Sequence, residues 1–138
     1  IMNEFSLITK YLQKLTKDNP SALNLRDDVF FDKKKKLIIS VDTYNEKVHF
    51  QNFLYPDLVI KKILRSSISD LISKGVTPKY IFISASGNQK HFNHKNLKKI
   101  ISSLKKEQKK FDLKLSGGDT VKSKNLSFSI TTVGYSKK

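Results

Sequence analysis

The chain has 138 residues, enough for one domain with a real core, and carries 27 Lys and Arg against 12 Asp and Glu for a formal net charge of +15. It has no Cys, which removes disulfides, zinc ribbons, iron–sulfur ligation and thiol catalysis together. No apolar run approaches the roughly 20 residues that span a bilayer, and Met2-Asn3-Glu4 does not open a signal peptide.

In chain order, Phe5, Ile8, Leu12 and Leu15 recur at helical spacing and predict a helix over Glu4 to Thr16, ended by Asp18-Asn19-Pro20. Ile1 ahead of Met2 reads as an excision scar. Val29 to Phe31 and Leu37 to Val41 are β-rich, with the Lys33 to Lys36 run as a solvated hairpin tip, and Lys47 to Phe50 is a further short strand. A long helix follows from Asp57 to Lys74, entered through Pro56, with an apolar stripe of Leu58, Ile60, Ile63, Leu64, Ile68, Leu71 and Ile72, and with Gly75 placed to cap it. Tyr80 to Ser84 is a strand and Ser86 to Asn93 a polar loop. Asn93 caps a helix over Lys95 to Lys110, whose apolar face is Leu97, Ile100, Ile101 and Leu104. Leu113 to Leu115 is a short strand running into Gly117-Gly118. Leu126 to Gly134 alternates Leu126, Phe128 and Ile130 with Ser127, Ser129 and Thr131, a half-buried strand. The sum is an α/β (α+β) domain, a mixed sheet with helices on one face, covering residues 1–138 as a single unit. Ending at Lys138 just past a strand, it reads as a domain boundary or truncation.

The lysine excess invites a nucleic-acid partner. Only Arg26 and Arg65 are arginines, however, the lysines are spread evenly, and Ile, Asn, Phe and Tyr share their AT-rich codons. Compositional drift accounts for the excess, so nucleic acid is not the expected partner. The scarce acids are more informative, because a carboxylate near apolar sequence needs a counter-charge. Five of the 12 fall in four short motifs, Arg26-Asp27-Asp28, Ser40-Val41-Asp42-Thr43, Ser69-Asp70-Leu71 and Gly117-Gly118-Asp119-Thr120. Of the adjacent pair only one can face a given site, Asp42 is expected at the C-terminal end of its strand, and Asp70 on the border of the apolar stripe, facing protein rather than water. The glycines before Asp119 would let the backbone approach a phosphate. If Asp28, Asp42, Asp70 and Asp119 converge, repulsion raises their pKa values unless cations bind, and an all-oxygen ligand set favours Mg²⁺ or Mn²⁺ over zinc. Phosphoryl transfer is the chemistry such a site serves. Neither a Walker loop nor a kinase glycine-rich loop is present. His49 could reach a substrate phosphate; His91 and His94 are read as solvent-exposed.

These motifs, with Asn3-Glu4-Phe5-Ser6-Leu7-Ile8, Val48-His49-Phe50 and Asp57-Leu58, stand in an order that resembles the N-terminal domain of the thiamine-monophosphate kinase family. Its superfamily includes aminoimidazole ribonucleotide synthetase and selenophosphate synthetase. The resemblance implies a cytoplasmic kinase that moves the γ-phosphoryl of ATP onto thiamine monophosphate, giving thiamine diphosphate. It implies Mg²⁺ held by Asp28, Ser40, Val41, Asp42, Asp70 and Asp119, with Gly118 and Asp119 against the ATP phosphates and His49 on the thiamine phosphate. It also implies a homodimer paired through the sheets, and a C-terminal domain absent from this chain, without which the fragment is expected to be inactive. Two departures stand out. Arg26 replaces the family's usual Gly, removing backbone freedom, and Val41 replaces Thr, leaving only a carbonyl to coordinate. A related ATP-dependent synthetase and a non-catalytic nucleic-acid-binding or dimerisation module are the alternative readings.

Overall fold

A computed structural model describes residues 3–137; Ile1, Met2 and Lys138 lie outside them, and with them the reading of Ile1 as a scar. The strands are β1 (Phe30–Asp32), β2 (Leu37–Asn45), β3 (Val76–Gly87), β4 (Lys114–Lys122) and β5 (Ser127–Ser136), and the two long helices are α2 (Pro56–Ser73) and α3 (His94–Phe111). A short helix α1 (Glu4–Leu7) precedes them. The strands form one sheet in the order β1-β2-β5-β3-β4, antiparallel throughout except for the parallel β3–β4 pair.

β1 and β2 are joined through the lysine run as expected. Asp32 Oδ1 accepts from the Lys35 amide at 3.2 Å, and Lys36 takes the left-handed conformation (φ 55°) that closes the turn. On β2 the side chains of Ile38, Ser40 and Tyr44 are buried, alternating with Val41 and Thr43 on an open face. Helices cover only the first of these faces.

Pro56 starts α2, where a missing amide proton costs nothing. Val59, Ile60, Ile63, Leu64, Ser67, Ile68 and Leu71 are buried at three- and four-residue spacing, and Gly75 (φ 76°) ends the helix. The stripe is narrower than the periodicity suggests: Leu58 and Ile72 are exposed, as are Leu97 and Ile101 on α3. α3 begins where the Asn93 side chain accepts from the Asn96 amide at 2.9 Å and buries Ile100, Ser103, Leu104 and Glu107. Glu107 is 4% exposed and held bidentate by Arg65 of α2, at 2.9 and 3.2 Å, which neutralises its burial and ties the two helices together. The main core lies between these helices and β5 and β3, around Ile60, Ile63, Leu64, Ile81, Phe128 and Ile130; a smaller cluster gathers Val29, Ile38, Leu71 and Val76.

Four local expectations change. The helix over Glu4 to Thr16 is a helical run of changing winding: α1, a π-helical stretch Ile8–Leu12 and a 3₁₀ stretch Gln13–Thr16. Phe5 and Leu15 point outward, because the run packs too little against the sheet to bury a full apolar face. Lys47 to Phe50 is a turn rather than a strand: Lys47 is left-handed (φ 71°), and the amides of Val48 and His49 both return to the Asn45 carbonyl. β2 runs on to Asn45, so Asp42 lies inside the strand, not at its end. β4 extends to Lys122, so Gly117-Gly118-Asp119 is strand rather than the turn after one.

Candidate functional site

The four acidic motifs fall on four different elements. Asp28 lies between the 3₁₀ turn Pro20–Leu25 and β1, Asp42 on β2, Asp70 in the last turn of α2, and Asp119 on β4. Asp28 and Asp42 line one concavity, and Asp70 lies within electrostatic reach of Asp42. The carboxyl of Asp42 is pushed above its ordinary range by burial first, then by the negative charges of Asp70 and Asp28. Fold parity explains the placement of Asp42 and Asp70. Asp42 shares the helix-covered face of β2 with Tyr44, whose hydroxyl bonds Ser67 of α2 at 2.8 Å. Asp70 is one helical turn beyond Ser67 on the same helix, and so comes level with Asp42. Both Asp28 and Asp70 are exposed, so Asp70 faces the solvent side of the site and not the protein interior.

Asp28 and Asp42 line a concavity of about 550 Å³ with Ser40, Val41, Asp27 and Glu4. In a chain of net charge +15 this is a locally acidic basin. Asp27 is already partnered. The Lys74 ammonium bonds its Oδ1, and Asp27 in turn accepts from the Asp28 amide at 2.8 Å; these hold its carboxyl below the ordinary value. Asp28 is therefore the member of the pair left to face the basin.

The backbone leading into the pair is unusual. Leu23, Asn24 and Leu25 are all left-handed, with φ of 55°, 56° and 56°, a conformation that costs a non-glycine residue roughly 1 kcal/mol. Arg26 is not: its φ is −87° and ψ −20°. The replacement of Gly by Arg at that position demands no glycine-only geometry.

A metal needs ligands, and the donor set suits a hard cation. Besides the carboxylates, Ser40 Oγ is buried and, among the described residues, has no hydrogen-bond partner. An orphaned hydroxyl two residues from Asp42 on the same face of β2 is the feature a bound cation would satisfy. Among the described residues, no three His, Asp or Glu side chains stand close enough together to hold a metal ion by themselves. The set fits Mg²⁺ as a partial shell completed by water or phosphate oxygens. Val41 turns its side chain to the open face, 62% exposed, leaving its carbonyl as its only possible ligand.

Asp119 is not part of this group. β5 and β3 separate it from β2, three strand spacings or about 14 Å. It lines a second concavity of about 850 Å³, whose floor is Ile83, Ala85 and Phe128 and whose wall is Leu97 and Ile100. The Gly-Gly pair has a reason internal to the sheet: a Cβ on Gly118 would lie 1.9 Å from the Ile83 carbonyl oxygen of β3. His49 is exposed in the turn after β2; its Nδ1 accepts from the Asn45 amide at 2.8 Å, so Nε2 is the nitrogen available to a ligand. One residue went unnoticed in the sequence. Thr132 of β5 lies beside Ser40 in register and is likewise buried without a partner among the described residues. The alternation that put Thr131 outward on β5 already placed residue 132 inward.

A mixed sheet covered by helices on one face, with carboxylates from separate segments near one acidic concavity, defines an α/β domain. Residues 18–136 match the family described as AIR synthase related protein, N-terminal domain. The chain belongs to that family and has its fold. The thiamine-monophosphate kinase of Haemophilus influenzae is 30% identical over 141 residues, spanning 99% of this chain and 42% of that protein. The crystal structure of thiamine monophosphate kinase from Aquifex aeolicus superposes with a TM-score of 0.80 at 26% identity, over 99% of this chain and 43% of that one. A structure of AaThiL complexed with AMPPCP and TMP superposes with a TM-score of 0.75 at 26% identity, over 97% of this chain and 44% of that one. The chain thus spans under half the length of the relatives it matches. No helix among the described residues is long and apolar enough to cross a membrane.

Proposed function

We propose that the chain is the ATP- and Mg²⁺-binding N-terminal portion of a thiamine-monophosphate kinase acting in the cytoplasm. The observation that carries this reading is the placement of Asp28, Asp42 and the orphaned Ser40 hydroxyl on one concavity of a lysine-rich chain, with Asp70 in electrostatic reach of Asp42. The similarity to thiamine-monophosphate kinases along almost the whole chain supports it.

In this reading Asp28, Asp42 and Asp70, with Ser40 Oγ and the Val41 carbonyl, hold Mg²⁺, which supplies charge neutralisation on the polyphosphate when bound. Gly118 and Asp119 meet the nucleotide phosphates at the β4 side, beside the apolar cleft under Leu97 and Ile100. His49 Nε2 contacts the phosphate of thiamine monophosphate. An oxygen of that phosphate attacks the γ-phosphorus of ATP, the bond to the β–γ bridging oxygen breaks, and ADP leaves with thiamine diphosphate as the other product. No side chain is phosphorylated on the way, so the residues position and neutralise. The open face of the sheet, with Val41, Phe82 and Val121 exposed, is the surface a second copy would cover to form the homodimer. A C-terminal domain completes the substrate site.

The test is ATP binding with and without Mg²⁺ on this chain and on Asp42→Asn and Asp119→Asn. Mg²⁺-dependent binding weakened by both substitutions is expected. Binding indifferent to Mg²⁺ and to both would sink the reading.

A further inference from the structure

The sheet face under the helices carries a polar seam. The β2–β5 pairs on that face are, in order, Ile38–Gly134, Ser40–Thr132, Asp42–Ile130 and Tyr44–Phe128. Ile38 belongs to the smaller apolar cluster, and Ile130, Phe128 and Tyr44 to the main core. Ser40 and Thr132 lie between the two. Thr132 is 0% and Ser40 6% exposed, and neither hydroxyl has a partner among the described residues.

Two adjacent orphans are a conspicuous cost, because a buried hydroxyl without a partner keeps its full desolvation penalty. The ladder itself does not prevent such residues from bonding. On the opposite, solvated face of the same two strands, Thr43 Oγ1 and Ser129 Oγ pair at 3.0 Å, where water could have satisfied either. A directly opposed pair has its Cβ atoms close enough for a hydroxyl–hydroxyl bond after side-chain rotation. The buried pair is held open beside Asp42, where a ligand would close it.

We propose that Thr132 is a positioning residue for the cation site, in extension of the Mg²⁺ reading above. With a cation bound, its hydroxyl would donate to Ser40 Oγ. The Ser40 O–H then turns toward a carboxylate of the basin, and the remaining Ser40 lone pair faces the cation. Thr132 itself does not touch the metal. It fixes which way Ser40 presents its oxygen, as outer partners commonly orient inner ligands. Valine has the shape of threonine without the hydroxyl, which separates this role from packing.

The experiment uses the 138-residue chain, with Mn²⁺ as the probe and the loss of its free EPR signal as the readout. Metal-free melting is measured alongside on Thr132→Val, Thr132→Ser, Ser40→Ala and the double variant. Thr132→Val is expected to keep or raise the metal-free Tm while weakening Mn²⁺ binding about tenfold or more. Thr132→Ser should retain the original affinity. The double variant should bind no more weakly than Ser40→Ala alone, because Thr132 acts through Ser40. Unchanged affinity in Thr132→Val overturns the proposal. So does additive loss in the double variant, or loss in Thr132→Ser equal to that in Thr132→Val. Absence of saturable Mn²⁺ binding in the unsubstituted chain overturns the Mg²⁺ reading and this role with it, a failure visible before any variant is compared.

Discussion

Gly118→Ala should destabilise the chain far more than Gly117→Ala, although the two positions are neighbours in one exposed strand. A Cβ at 118 would meet the Ile83 carbonyl oxygen at 1.9 Å and its carbon at 2.9 Å, both backbone atoms of β3. The closest comfortable carbon–oxygen contact is about 3.3 Å, so the strands must part by roughly 1.4 Å. That takes hydrogen bonds of about 2.9 Å past the limit of useful geometry. Losing two or three of them, at about 1 kcal/mol each, with some strain added, gives roughly 2–4 kcal/mol. At 117 the nearest atoms are Phe82 ring carbons at 3.0 and 3.3 Å, and Phe82 is 37% exposed and free to turn aside. The small overlap is offset by the roughly 0.4–1 kcal/mol gained when alanine restricts the unfolded chain. At about 3 °C per kcal/mol for a domain of this size, Gly118→Ala should lose roughly 6–12 °C of Tm and Gly117→Ala about 3 °C at most. Thermal melts followed by far-UV circular dichroism measure both. Equal Tm values in the two variants would refute the reasoning, and would show that β4 is not pressed against β3 at Ile83.

In the metal-free chain the contribution of Asp42 to stability should fall as pH rises. The folded pKa of Asp42 is raised by burial and by Asp70 and Asp28, so the folded state holds that proton more tightly than the unfolded one. Its contribution is complete below the ordinary carboxylate range, falls as pH passes from there through the raised folded value, and is flat above. Asp42→Asn should abolish that slope in urea titrations run across pH without divalent cations; an identical slope in the variant would count against the coupling. Asp27 has the opposite sign. Its carboxyl is held low by Lys74, so the stabilisation is present above the ordinary carboxylate range and disappears as pH falls through the lower folded value. The pair is half exposed, so Lys74→Met should cost at most about 1 kcal/mol while raising the Asp27 pKa, followed by NMR, toward its ordinary range. Leu64→Ala, at a position 0% exposed in the main core, should cost roughly 2–5 kcal/mol, read from chemical denaturation; a loss below about 1 kcal/mol would contradict the packing described.

Periodicity located both long helices and the strand cores, because the face a residue takes is a local property of the chain. It did not give the width of a buried stripe. Leu58, Ile72, Leu97 and Ile101 all fit the helical pattern, yet each is exposed, since burial depends on how far a neighbouring element reaches. Strand ends were hidden for a related reason. Ser116-Gly117-Gly118-Asp119 has turn composition, and only the parallel partner β3 makes it strand. Val48-His49-Phe50 has strand composition, and the left-handed Lys47 makes it a turn. At the candidate site, motif order pointed to the acids, but their grouping needed the fold. Asp70 comes within electrostatic reach of Asp42 because α2 lies along β2, whereas Asp119 stands across two intervening strands. Parity allowed only one of Asp27 and Asp28 to face the site, and the family resemblance pointed to Asp28; the structure pairs Asp27 with Lys74.

The sheet order has a kinetic consequence. β5 is the last of the described strands to be synthesised, yet it occupies the middle of the sheet, with β2 on one side and β3 on the other. Until Ser127–Ser136 has emerged, β1–β2 and β3–β4 are two separate ribbons, each with an unpaired edge. Closing them requires β5 to pair with residues about ninety positions earlier, a non-local step that slows folding. Nascent chains should therefore stay sensitive to proteases and chaperones until β5 has left the ribosome. Conversely, a free peptide of the β5 sequence, added to a chain lacking it, would find a vacant slot waiting.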